Sequence, residues 1–223
     1  MKKLIFILSL LLMALPTIAG NKSDKYKVTC TLTDGTVIEG YCSIASTARL
    51  ISPVYDLKIS DTYKGKARKY TSEEVKRIVY TSTLNDSLPL IYESVKAQRN
   101  MPNQLNKDPK PYNKPVFLQL IYEGKNVKGY KTLTTDYTVN MSGTKVNYVF
   151  RYYYLKKGDE IAKAYWLGIK GIFLVMKKAM KLYFREFPKL VEMVDKKEIK
   201  GKQFRKNPTM VLPLMDKFYV PEK

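Results

Sequence analysis

Residues 25–44, KYKVTCTLTDGTVIEGYCSI, decide the fold. Tyr26, Val28, Cys30 and Leu32 alternate with Lys25, Lys27, Thr29 and Thr31, the two-residue period of a half-buried strand. Asp34-Gly35 marks a tight turn, and the returning segment places Ile38, Gly40, Cys42 and Ile44 opposite in phase to Glu39, Tyr41 and Ser43. Burying both even-numbered sets on one face restricts the register. A three-residue turn with Gly35 in the left-handed conformation sets Cys30 against Ile38 and Cys42 against Tyr26, too far apart for a disulfide. A register shifted by two residues would make the cysteines diagonal neighbours and a bridge conceivable. The favoured reading is two buried thiols.

Working outward, strands are expected at residues 55–60, 66–70 and 77–81, with Thr71-Ser72-Glu73-Glu74 as a capped helical turn before the last. Five short strands in this span predict a small curled sheet or open barrel covering residues 20–98, with residues 88–98 continuing the sheet. The segment Leu32-Thr33-Asp34-Gly35-Thr36-Val37-Ile38-Glu39-Gly40 is similar to the first hairpin of Sm-like and SH3-like small barrels. Residues 99–115 contain Pro102, Pro109, Pro111 and Pro115 and little that is apolar, so they read as a linker or long loop. Residues 116–223 then predict a second, antiparallel-rich sheet, with strands at 116–122, 127–133, 137–141 and 145–155, covered by C-terminal helices. Phe173, Met176, Met180, Phe184 and Phe187 recur at helical spacing. Pro188 resets the chain for a second helix that Gly201 closes, and Asn207-Pro208 starts a last one that Pro213 bends or shortens. The predicted class is α+β.

The composition excludes several chemistries. The 223 residues contain no histidine, which removes Ser-His-Asp and Cys-His nucleophiles and His-rich zinc sites. Two cysteines cannot make a four-thiolate metal site. The only adjacent acid pairs, Glu73-Glu74 and Asp159-Glu160, sit at turn or cap positions. No cofactor motif is present, and catalysis would have to rest on scattered carboxylates or on Lys or Tyr bases.

Residues 1–19 read as a secretory signal peptide: Lys2 and Lys3 precede an apolar run from Leu4 to Leu15, then Pro16-Thr17-Ile18-Ala19. The run falls short of the roughly 20 residues that cross a bilayer, and no later stretch is long and apolar enough. The chain carries 40 Lys+Arg against 20 Asp+Glu. Removing the signal takes two lysines and no acids, so the exported chain is expected in the periplasm or outside the cell with a net charge of +18. Such a charge favours anionic surfaces.

Two stretches are candidates for binding. In residues 148–155, YVFRYYYL, a strand lines Tyr148, Phe150, Tyr152 and Tyr154 on one face and puts Arg151 with Tyr153 on the other. Aromatic rings beside a guanidinium can stack on sugars or bases, although the plainer reading is core beneath the helices. From Lys177 to Lys206 eleven Lys or Arg face four acids, and Lys177, Lys178, Lys181 and Arg185 fall on the outer side of an amphipathic helix. That side could lie on an anionic envelope surface; the plainer reading is a solvated face.

Several motifs together resemble a family of exported proteins from Bacteroidetes-type bacteria. They are the step Tyr70-Thr71-Ser72-Glu73-Glu74-Val75, the strand Phe117-Leu118-Gln119-Leu120-Ile121-Tyr122-Glu123-Gly124, and the helical end Phe184-Arg185-Glu186-Phe187-Pro188-Lys189-Leu190. The chain departs from that pattern in being more basic and in lacking a cysteine near the proline. The resemblance implies an exported architecture and brings no activity with it. Asp86-Ser87-Leu88 looks like the O-glycosylation acceptor of such bacteria, which makes Ser87 the candidate site. The expectation is therefore a non-catalytic envelope or secreted binding protein, whose partner is a protein or an anionic surface. A glycan or nucleic-acid binder using the aromatic strand is the rival, with nucleic acid disfavoured, and a His-independent hydrolase is the remaining class.

Overall fold

The computed structural model describes residues 25–43, 53–81, 90–140, 143–168 and 176–221, and of residues 135–140 and 143–148 the backbone alone. The candidate signal peptide, Ser87 and Phe173 lie outside the described residues. The opening hairpin pairs β1 (Lys25–Leu32) with β2 (Val37–Ser43) in the expected register, Cys30 opposite Ile38 and Cys42 opposite Tyr26. Gly35 has φ +88°, a left-handed turn residue that a side chain would strain. Both cysteines are free and buried.

β3 (Asp56–Ser60), β4 (Ala67–Thr71) and β5 (Val75–Tyr80) follow. The stretch between β4 and β5 is a turn instead of a helical turn, closed by Glu74 N–H on the Thr71 carbonyl. The Glu74 carboxylate in return accepts from Thr71 N–H (2.7 Å) and its hydroxyl (2.9 Å). β6 (Leu90–Val95), β7 (Val116–Glu123), β8 (Val127–Asn140), β9 (Gly143–Lys156) and β10 (Lys163–Leu167) complete one ten-stranded sheet of order β10-β9-β8-β7-β6-β5-β1-β2-β3-β4. Every pair of neighbouring strands in it is antiparallel. The two expected groups of strands join through β6 and β7.

The sheet does not close into a barrel. Closure of the first five strands would need β5 to meet β4, but the free side of β5 is taken by β6. The sheet curls nonetheless. β3 and β7 are five places apart, about 24 Å in a flat sheet at ~4.8 Å per strand, yet Phe117 N–H donates to the carbonyl of Val54, just before β3, at 3.1 Å. The concave side holds a core of Val28, Cys30, Leu57, Ile78, Tyr80 and Phe117. Exposed Arg68 and Lys69 guard the edge strand β4 against pairing with another chain.

Four short helices cover the C-terminal half of the sheet: α1 (Met176–Tyr183), α2 (Pro188–Asp195), α3 (Gly201–Lys206) and α4 (Leu212–Lys217), the last preceded by a 3-10 turn over Pro208–Val211. Gly201 opens a helix instead of closing one, and Pro213 sits in the first turn of α4, so the expected last helix is split in two. Asn207 stands at the cap of the 3-10 turn without a side-chain cap bond; its Oδ1 accepts from Thr209 Oγ1 at 2.6 Å. Tyr154, Tyr165 and Trp166 of the sheet meet Phe184, Phe187, Leu190 and Phe204 of the helical layer in a second core. Gly129 of β8 allows this approach, since a Cβ there would stand 2.4 Å from Leu212 Cδ1. The residue pattern 163–167 gave no sign of β10. The two segments 127–133 and 137–141 are parts of one strand.

The buried thiols make a testable pH dependence. Burial, with a contribution from Cys42, pushes Cys30 from an ordinary 9.0 up to about 11. The folded state therefore prefers the protonated thiol, and the stabilisation, about 2–3 kcal/mol, is complete below pH 9.0 and lost as pH rises through about 11. Cys30→Ala should show a flatter fall of unfolding free energy between pH 8 and 11 than the parent in urea titrations. Equal slopes would rule this coupling out.

Candidate functional site

β9 divides its side chains between two environments. On the helix-facing side Tyr154 is buried, edge-on to Phe187 at 5.3 Å between ring centroids, and Tyr152 is half-buried at 6.2 Å from Tyr165. Phe150 is 41% exposed, with Lys131 Nζ 5.0 Å above its ring. Tyr148 stands in register with Thr135, and its side chain lies outside the described set. Among the described rings of the row exposure rises from buried Tyr154 through half-buried Tyr152 to Phe150, so Tyr154 is a packing residue. The distal halves of β8 and β9 extend past β7 and β10 and pair there with each other.

The basic residues of the first helical segment are mostly engaged. Lys177 and Lys181 each hold Asp195 at 2.8 Å, drawing its carboxyl below the usual range. Arg185 pairs with Asp108 and donates to the Lys107 carbonyl at 2.7 Å, which ties the helical layer to the Pro-rich loop. Lys178 is exposed.

Arg151 and Tyr153 point to the other side of β9, where a site forms that the sequence reading did not assemble. The Pro-rich segment folds back on its own base: Arg99 N–H bonds the Lys110 carbonyl (3.1 Å), Tyr112 N–H bonds the Ala97 carbonyl (2.9 Å), and Gln98 pairs with Pro111. The curl of the sheet brings Pro53 and Tyr55 against this base, and Thr134 and Arg151 close the remaining side. The result is an open cleft of about 520 Å³, also lined by Asn100 and Asn113.

Its chemistry is cationic. Arg99, Lys110 and Arg151 line it, and no carboxylate does among the described residues. Arg151 Nη1 donates to the Arg99 carbonyl at 2.5 Å and to the Tyr112 hydroxyl at 3.2 Å, so two segments of loop are fixed to β9 by one guanidinium. Arg151 Nε and the hydroxyl of fully buried Tyr153 have no well-formed hydrogen bond. Burial drives the Tyr153 hydroxyl upward in pKa against the opposing pull of the Arg151 cation, so it remains a neutral phenol. Of the lining side chains, only Arg151 was among the candidates from sequence. Arg99, Lys110 and Tyr112 lie in the segment read as linker, whose four cations (Arg99, Lys107, Lys110 and Lys114) do not by themselves mark which two line the cleft.

Among the described residues no group of three or more Cys, Asp and Glu could hold a metal ion, and no helix is long and apolar enough to cross a membrane. No protein-family model, curated protein or solved structure matches this chain.

Proposed function

We propose that the chain is an exported, non-catalytic binding protein of a bacterial envelope, periplasmic or extracellular, whose ligand is anionic and occupies the cleft between β9 and the Pro-rich loop. The observation that carries this reading is the placement of Arg99, Lys110 and Arg151 around one 520 Å³ cleft with no acid among its described walls. Like charges repel, and gathering three of them without a counter-ion costs stability that a bound anion returns. The export half of the reading is supported by the basic start, apolar run and Ala19-Gly20 step of the N-terminus. The first helical segment supports it less, because Lys177, Lys181 and Arg185 are paired with Asp195 and Asp108.

Calorimetric titration of the protein with dextran sulfate across a salt series tests the reading. Lys110→Gln, at an exposed position, is expected to weaken binding about tenfold, and Lys178→Gln to change it little. A fraction of the affinity should persist at 0.5 M salt (roughly a 4 Å screening length), since partly buried pairs are screened less. Binding that vanishes with salt and ignores Lys110→Gln would instead assign it to the general positive charge of the surface.

A further inference from the structure

Resting on that reading, we propose that the ligand is an anionic sugar: a pyranose or disaccharide bearing one phosphate or carboxylate group. Size is the first argument. A cleft of about 520 Å³ is far larger than one inorganic oxyanion needs and falls within the 300–1,000 Å³ range of sites for small organic ligands.

The kind of wall is the second argument. Beside the cations stand two phenol rings, Tyr55 and Tyr112, two side-chain amides, Asn100 and Asn113, and the Thr134 hydroxyl. Amides and hydroxyls both donate and accept, which is what a ring of sugar hydroxyls requires. Flat aromatic faces suit the C–H faces of a pyranose. An acyl chain would need an apolar wall, and among the described residues the aliphatic members of this lining are only Pro53 and Pro111.

The third argument is the direction of the hydrogen bonds. The Tyr112 hydroxyl accepts from Arg151, which leaves its own proton free to donate to an oxyanion or a ring hydroxyl. The Arg151 guanidinium is held by the Arg99 carbonyl, so its charge is fixed at the cleft before any ligand arrives. An oxyanion at Arg99, Lys110 and Arg151 leaves the remainder of the ligand along Tyr55, Asn100 and Asn113.

The test is calorimetry with glucose 6-phosphate, glucuronate, glucose, inorganic phosphate and adenosine monophosphate, with phosphatidylglycerol vesicles as a further arm. Glucose 6-phosphate or glucuronate should bind about tenfold or more tighter than inorganic phosphate and than glucose. Whichever of the two prevails names the oxyanion. Asn113→Ala, at an exposed position whose side chain makes no hydrogen bond to another described residue, should weaken the sugar ligand about threefold or more and leave inorganic phosphate unchanged. If inorganic phosphate binds as tightly as both anionic sugars, the sugar assignment is overturned while the anion site stands. If adenosine monophosphate or the vesicles prevail, the ligand is a nucleotide or a lipid and the assignment fails. If neither these probes nor dextran sulfate bind through Lys110, the anion site itself falls.

Discussion

Phe204→Ala is expected to destabilise the protein by about 3–5 kcal/mol and to move the emission of Trp166 to longer wavelength in the fraction that remains folded. Phe204 is fully buried in α3, a helix of only six residues that could not persist by itself. Its ring lies 5.1 Å from Trp166, 5.4 Å from Phe184 and 6.3 Å from Tyr165, so it joins the turn just after α1, α3 and β10 in one aromatic cluster. Trp166 is the sole tryptophan, which makes its fluorescence a direct report on docking of the helices. Urea denaturation followed by emission and by far-ultraviolet dichroism checks both parts. An unchanged midpoint with unshifted emission would mean that α3 is not seated on β10 as described.

The second large effect is expected at Glu186. Its carboxylate meets Lys163 at 2.6 Å and Lys156 at 3.1 Å, and Lys156 is itself buried. Burial opposes ionisation of Glu186, but the hydrogen bond and charge of Lys163 and the charge of Lys156 outweigh it and hold the carboxyl below its usual range. Glu186→Gln removes the charge while both lysines stay, with Asp159 as a remaining carboxylate at 3.6–3.8 Å. Breaking such a buried pair should cost about 3 kcal/mol. In the parent protein a depressed folded pKa means that this contribution is present above about pH 4.5 and lost as pH falls below it. The variant should therefore show a shallower acid limb. Glu192→Gln is the control, because Glu192 has two lysine partners of its own, Lys189 and Lys196, but in solvent; its loss should leave the midpoint almost unmoved. Equal effects of the two substitutions would contradict the role given to burial.

Both predictions concern the seam between sheet and helices, and that seam shows how far the sequence could be followed. The opening hairpin was legible because parity restricts the register to those that bury both apolar faces, and a three-residue turn with Gly35 favours the one observed over its neighbour shifted by two. The strands β3 to β5 were legible for the same local reason. β10 was missed: Lys163–Leu167 is short, begins with a lysine, and is nearly all buried, so it shows no alternation. Gly201 was misjudged because glycine ends helices more often than it begins them. Here it is chosen for close packing, since a Cβ would lie 2.6 Å from Met176 Cγ.

The candidate ligand residues divide along the same line. Alternation alone put Arg151 on the face opposite Tyr152 and Tyr154, and that separation holds in the structure. Which face was open to ligand depended on the helices, which cover Tyr154, and on the loop, which builds a cleft over Arg151.

The sequence by itself determined the α+β class and the chemistries barred by the lack of histidine, and it favoured the hairpin register with two unpaired thiols over one shifted by two residues, because each follows from local periodicity or from inventory. Only the tertiary structure decided that two groups of strands form one curled, open sheet and that Arg99, Lys110, Arg151, Tyr55 and Tyr112 share a cleft. Those residues come from segments far apart in the chain, and what brings them together is a curl that places Val54 on Phe117, held by long-range hydrogen bonds and buried apolar surface that no short window of sequence contains.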